Sequence, residues 1–184
     1  MKKFKIAVIV GSLRKESFNL KIAKAMVDLA PDSMSFDFLE IGGLSMFNQD
    51  LEENPPKEWV AFRKSVRSAD GILFFTPEYN RSVPGVLKNA IDIGSRPYGE
   101  NSFDQKPAAV VSVSPGAIGG FGANHHLRQS LVFLNMLTMA QPEAYIGGVD
   151  KMLDEKGTLT DSSTKKFLTD FIKAFENWVG TQAK

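Results

Sequence analysis

The chain predicts an open parallel α/β sheet with helices on both faces, and two features of the sequence predict it. Apolar runs of strand length alternate with stretches of helical periodicity from one end to the other, in five units. Two of the runs, Gly71 to Thr76 and Ala108 to Ser114, are apolar without alternation, which is the pattern of central strands covered on both faces.

Taken in order, the first strand is Lys5 to Val10, and its apolar core Ile6-Ala7-Val8-Ile9-Val10 runs directly into Gly11. The first helix, about Ser17 to Leu29, sets Leu20, Ala23, Val27 and Ala30 on one stripe and stops before Pro31. Ser35 to Leu39 is the second strand. Gly42 to Pro56 reads as a long loop, and long loops near strand ends tend to be functional or mobile. The second helix begins near Pro56, whose missing N–H is harmless in a first turn, and turns Trp59, Phe62 and Val66 inward. After the third strand, Gly71 to Thr76, a helix starting around Pro84 buries Val86, Leu87, Ala90 and Ile91.

The fourth strand, Ala108 to Ser114, leads to a fourth helix expected from about Asn124 to Met139. Leu131, Val132, Phe133, Leu134, Met136, Leu137 and Met139 would surround its axis, and a helix apolar on all sides must be covered on all sides. We therefore expect an oligomer formed through this helix, with the third as a second contributor. A weaker fifth strand is drawn at Ala144 to Ile146. The last helix spaces Phe167, Phe171, Phe175 and Val179 four apart, joined by Leu168, Ile172 and Trp178, with Gly180 as its stop. Its aromatic stripe reads as core packing. No internal repeat, low-complexity tract or linker divides the chain, so one domain is expected over residues 1–184.

A chain of 184 residues can bury roughly 70% of the surface its unfolded form exposes, so neither a metal nor a disulfide is needed to fold it. Lys and Arg total 22 against 21 Asp and Glu, and this balance gives no field favouring nucleic acid or an anionic membrane. Cysteine is absent, which excludes thiolate catalysis, thiolate metal sites and iron–sulfur ligation, so any redox chemistry belongs to a bound cofactor. The apolar run after Lys5 is too short for a signal peptide, and no stretch approaches the ~18 apolar residues of a spanning helix. We expect a cytoplasmic protein.

In open α/β sheets ligands sit beyond the carboxyl ends of the strands, where strand order reverses. After the first strand stand Ser12, Arg14, Ser17 and Asn19, a neutral-to-cationic set of donors at a helix start, suited to a phosphate. Each charge-assisted hydrogen bond contributes about 1.5 to 3 kcal/mol, so a handful supplies much of the ~8 kcal/mol that micromolar binding needs. An ordinary turn and helix cap would use some of the same residues. After the third strand, Pro77-Glu78-Tyr79-Asn80 offers a stiff backbone, an aromatic face and an amide to a planar ring, though the segment also serves as a rigid turn into a Pro-initiated helix. After the fourth, Ser114-Pro115-Gly116-Ala117-Ile118-Gly119-Gly120 lets backbone approach a ligand closely. A phosphate site joined to a flat-ring site describes a mononucleotide, and flavin mononucleotide suits a cysteine-free protein that handles electrons.

Those segments, Gly11 to Asn19, Pro77 to Ala90 and Ser114 to Gly120, together with the helix start His126-Leu127-Arg128-Gln129, resemble the NADPH-dependent FMN reductase family. The likeness spans nearly the whole chain and is greatest to its bacterial chromate and quinone reductases. The resemblance implies a flavodoxin-like three-layer sandwich with a five-stranded parallel sheet in the order 2-1-3-4-5. It also implies noncovalent FMN, NADH or NADPH as donor, small acceptors such as quinones, chromate, azo compounds or free flavins, and a homodimer or homotetramer. Carried over by position, Ser12, Arg14, Ser17 and Asn19 would hold the FMN phosphate. Pro77, Glu78, Tyr79 and Asn80 would line the isoalloxazine, and Ser114, Gly116, Gly119 and Gly120 would border its other side. No side chain is expected to act as an essential acid or base, because the chemistry belongs to N5 of the flavin.

Other readings lack their residues. There is no G-x-G-x-x-G after the first strand, no G-x-x-x-x-G-K-[ST], no aspartate cluster at the strand ends and no G-x-S-x-G elbow. His125 and His126, the only histidines, diverge by about 100° on a helix, so no metal site is expected. Two rivals remain, a flavodoxin-like electron carrier and a flavin-bound regulatory oligomer; turnover of NAD(P)H without a protein partner separates both from an enzyme.

Overall fold

Every residue of the strands Gly71–Thr76 and Pro107–Val113 is buried, and the remaining elements are arranged so as to cover them. The computed structural model describes residues 3–182. In chain order the elements are β1 (Phe4–Val10), α1 (Phe18–Asp28), β2 (Met34–Leu39), α2 (Lys57–Ser68), β3 (Gly71–Thr76), α3 (Gly85–Gly94), β4 (Pro107–Val113), α4 (Phe121–Phe133), β5 (Leu137–Thr138), β6 (Ala144–Ile146) and α5 (Ser162–Gln182). The sheet runs β2-β1-β3-β4-β5 with every pairing parallel, and β6 also pairs with β4.

Alternate side chains of the strands feed two cores. Ile6, Val8, Leu73, Phe75, Ala109 and Val111 meet Ile22 and Met26 of α1 and Leu168, Phe171, Ile172 and Phe175 of α5. The aromatic stripe of the last helix is thus core packing. On the other face Ala7, Ile9, Ile72, Phe74 and Val110 meet Trp59 and Phe62 of α2, Leu87 and Ile91 of α3, and Leu127 and Leu131 of α4. Ser17 caps α1 by accepting the Leu20 N–H at 3.2 Å, and Pro56 and Pro84 stand directly before α2 and α3. Among the described residues, no helix is long and apolar enough to cross a membrane.

The structure corrects the sequence reading at the far edge of the sheet. The fourth helix ends at Phe133 rather than continuing to Met139, and Asn135 follows with a φ of 57°. The residues beyond it form a strand that the apolar run concealed. Leu134, Met136 and Met139 face the core, so the helix is not apolar on all sides; only Val132 and Phe133 project strongly, at 72% and 90% exposure. The fifth position of the sheet is therefore filled in two pieces. Leu137–Thr138 pairs with Pro107 and Ala108, and Ala144–Ile146 with Val111 to Val113. Between them the edge of β4 has no strand partner, and α4 supplies polar groups instead. The buried Asn124 amide reaches Val110 O at 3.5 Å and Ala144 O at 3.2 Å, while Arg128 donates to Met139 O at 2.9 Å and to Asn124 Oδ1 at 2.9 Å. Backbone carbonyls left without ladder partners are thereby satisfied by side chains. At the other end of the chain Gly180 does not stop α5, which continues to Gln182.

Candidate functional site

Because the sheet is parallel throughout, β1, β3, β4 and β6 all end on one edge, and the segments that follow them converge there. Strand order reverses between β1 and β3. At that junction the Gly11 N–H donates to Phe75 O at 2.8 Å, extending the ladder by one residue before the chain turns away. From Ser12 to Glu16 no backbone N–H makes a hydrogen bond among the described residues, nor does the Ser12 hydroxyl. Arg14 is exposed, its guanidinium 5.5 Å from the Phe18 ring centroid. Glu16, the one carboxylate in the loop, is paired with Lys21 at 2.7 Å, which holds its carboxyl below the usual range. The loop therefore presents unengaged donors and net positive charge at the start of α1, where the helix dipole adds to both.

Ser17 and Asn19 sit lower in this corner. Ser17 is 1% exposed, with its oxygen engaged as the α1 cap. Asn19 is 3% exposed and donates through Nδ2 to Val113 O at 3.3 Å, while its Oδ1 is buried without a partner. The Asn19 side chain thus ties α1 to the end of β4 and stands behind the loop rather than at its surface. Ser12 and Arg14 are brought to the surface together.

The segment after β3 is a two-residue turn closed by reciprocal backbone bonds between Tyr79 and Ser82, both 3.0 Å. Asn80 and Arg81 occupy the left-handed region, with φ of 51° and 63°, as such hairpin turns require. Asn tolerates this conformation and Arg does so at a cost, so the turn needs anchors. It has two, both on α4. Glu78 Oε2 accepts the Ala123 N–H at 3.1 Å while its Oε1 accepts from Arg81 at 2.8 Å, and Ser82 Oγ lies 2.8 Å from His126 Nδ1. Burial opposes ionisation of Glu78, but the Ala123 N–H and the Arg81 guanidinium outweigh it and hold the carboxyl below its ordinary value of 4.5. Glu78 thus acts as an anchor through its side chain, and the neighbouring Tyr79 is 46% exposed.

Opposite this turn the segment after β4 lies close to its neighbours. Ser114 Oγ accepts the Gly116 N–H at 3.0 Å. Gly119 and Gly120 have φ of 60° and 76°, and a Cβ at residue 119 would fall 2.6 Å from the Tyr145 carbonyl carbon, so a side chain there is excluded twice over. Beyond the loop Phe121, His125 and Tyr145 form an aromatic cluster, with centroids 4.3 to 6.0 Å apart and His125 Nε2 2.8 Å from the Tyr145 hydroxyl. Burial, and then the nearby Glu143 carboxylate, push the Tyr145 phenol up to about 12, so it stays protonated. The two histidines take separate partners, and the described residues contain no group able to hold a metal ion. Sequence reasoning missed the anchoring role of His126 and the part played by Tyr145, because neither carries a local pattern that points across the sheet edge.

One end of this edge offers unengaged donors for a phosphate, and the other a stiff, partly exposed turn facing a side-chain-free loop, the two parts a flavin mononucleotide needs. A surface cavity of about 610 Å³ lies at the opposite edge of the sheet. Its cations Arg67 and Lys106 are already bonded to Glu100 O and to Arg67 O and Ala69 O, respectively.

The anchoring role of Glu78 has a pH signature. A carboxyl whose folded pKa is depressed adds stability that is full above its unfolded value and is lost as the pH falls through the folded value. Urea midpoints should therefore show Glu78→Gln less stable than the wild type at pH 7, with the gap closing below about pH 4.5. A gap that stays constant down to the acid limit would contradict the anchor.

The family model for NADPH-dependent FMN reductases matches residues 4–151. A quinone reductase from Pseudomonas putida is 58% identical over 177 residues, covering 96% of this chain and 95% of that protein. A 2-hydroxy-1,4-benzoquinone reductase from Burkholderia sp is 46% identical, covering 95% of this chain and 96% of that one. Among solved structures, FerB, a flavoenzyme NAD(P)H:(acceptor) oxidoreductase from Paracoccus denitrificans, superposes with a TM-score of 0.92 at 42% identity, over 97% of this chain and 98% of its own. With the flavodoxin-like strand order in place and the match running through all three loops of the carboxyl edge, the chain belongs to the NADPH-dependent FMN reductase family.

Proposed function

We propose that the chain is an FMN-bound NAD(P)H:quinone oxidoreductase, for which chromate and related small acceptors are incidental substrates of an open site. The observation that carries this reading is the row of unengaged donors from Ser12 to Glu16, placed on the same sheet edge as the anchored turn at Pro77 to Ser82. Ser12, Arg14 and the loop N–H groups would hold the phosphate, with Ser17 and Asn19 fixing the loop from behind. Pro77 to Asn80 would flank the ring on one side, and Ser114, Gly116, Gly119 and Gly120 on the other. When bound, the flavin would supply the hydride and electron-transfer chemistry that links the nicotinamide to the acceptor.

The protein's own part is to bind, orient and leave one face open. No carboxylate or imidazole of the ring loops is free for proton transfer, since Glu78 is bonded to Ala123 and Arg81, and His126 to Ser82. NADH or NADPH and the acceptor would use the same open face in turn. Such an enzyme works in the cytoplasm, where its nicotinamide donors are held. A pure electron carrier is disfavoured by the near balance of 22 basic and 21 acidic residues, since carriers of this fold are typically strongly acidic.

We also place a homodimer at the groove between α3 and α4, with a homotetramer as a pair of such dimers. The groove, about 370 Å³, is lined by Ile91, His126, Ser130, Leu134 and Phe133, the last 90% exposed. A second copy would cover that ring.

Steady-state data with a quinone should give parallel double-reciprocal lines; intersecting lines would contradict a shared face. Arg14→Ala should weaken FMN affinity about tenfold or more, while hydride transfer in the FMN-saturated variant changes little. Unchanged affinity would refute the phosphate assignment. Phe133→Glu should shift the mass measured by light scattering toward the monomer, and an unshifted mass would move the interface elsewhere.

A further inference from the structure

The loop that follows β2 is held far more firmly than its length suggests. Asn89, 4% exposed in α3, uses both ends of its amide on it, accepting the Phe47 N–H at 2.8 Å and donating to Ser45 O at 3.1 Å. Trp59 Nε1 donates to Ser45 Oγ at 3.0 Å, and the Phe47 ring stacks on Trp59 with centroids 5.6 Å apart. Further along, Arg96 grips Glu52 through two bonds of 2.6 and 2.8 Å. Met46 is the one residue between the clamped carbonyl and the clamped N–H, and its side chain is 73% exposed.

This clamp is attached to the candidate site on two sides. Asn89 sits about one turn into α3, which starts directly after the segment Pro77 to Pro84. At the loop's start, a Cβ on Gly42 would lie 3.0 Å from Leu13 Cδ2, so the loop packs against Leu13 of the donor loop, itself 57% exposed. Satisfying the backbone of a surface loop does not require a buried amide bonded on both sides of a single exposed methionine, because water would serve. An unbranched thioether side chain, by contrast, adapts to varied apolar ligands.

We propose that Met46, with Leu13, forms the apolar wall against which the ring substituents of a quinone acceptor pack, and that Asn89 is the positioning residue that presents it. This rests on the quinone-reductase reading above. Met46 would select among acceptors, and Asn89 would act only through Met46.

The test uses FMN-loaded enzyme with NADH or NADPH in excess and two probes, 1,4-benzoquinone without substituents and the methyl-substituted naphthoquinone menadione. Met46→Ala should lower the ratio of kcat/KM for menadione to that for benzoquinone by about fivefold. Asn89→Asp keeps the acceptor for the Phe47 N–H and loses the donor to Ser45 O, and should lower the same ratio with Met46 still present. The double variant should add little to either single one, since both act through the same side chain. A wild-type ratio in Met46→Ala would overturn the proposal, and that exposed substitution leaves folding intact even if Asn89→Asp does not fold. A lowered melting temperature in Asn89→Asp with an unchanged ratio would make Asn89 merely structural and overturn its role. Failure of the wild-type enzyme to reduce either quinone would instead defeat the underlying reading, a result distinct from an unchanged ratio in an active enzyme.

Discussion

Burial of two strands on both faces is the constraint from which the rest of the structure follows. β3 and β4 have no exposed residue, so helices must cover the sheet above and below, and each connection must cross from the end of one strand to the start of the next. Parallel strands linked in this way deliver all their carboxyl ends to one edge. With the order 2-1-3-4-5 the connections from β1 and β3 leave toward opposite faces, so the loops that follow Gly11 and Thr76 diverge at the switch point. The site is a consequence of how the core is covered.

What distinguishes the loops at that edge is how their backbones are satisfied. The turn at Pro77 to Ser82 is fastened by Glu78 and Ser82 to α4, the loop after β2 by Asn89 and Trp59, and the end of β4 by Asn19. In each case a side chain on one element bonds to another, and the segment is held without needing regular secondary structure. The segment from Ser12 to Glu16 is the exception, because its N–H groups make no hydrogen bond among the described residues. Rigid walls around one set of free donors would suit an anion attached to something flat.

Much of this was legible in the sequence, where the physics is local. The four long strands fall within one residue of their expected bounds, because a continuous apolar run next to a helical period has few other solutions. Pro56, Pro84 and Ser17 mark helix starts through their own backbone and side-chain chemistry. The errors arose where tertiary context decides. Leu134 to Met139 is apolar enough for helix or strand, and the choice for strand rests on pairing with Pro107 and Ala108, about thirty residues away. Gly180 lies close to Phe4, and α5 passes straight through it. Likewise the sequence places Glu78 and Asn19 at the site but not the groups they bond, Ala123 N–H and Val113 O, which determine that each works as an anchor.

We propose that this edge holds a flavin mononucleotide that nicotinamide donors reduce. The most direct measurement is the visible absorption spectrum of the purified protein loaded with FMN, recorded before and after anaerobic addition of NADH or NADPH and again after a quinone is admitted. A protein-bound flavin band should bleach with the donor and return with the quinone. A protein that retains no flavin, or a bound band that neither donor bleaches, would contradict it.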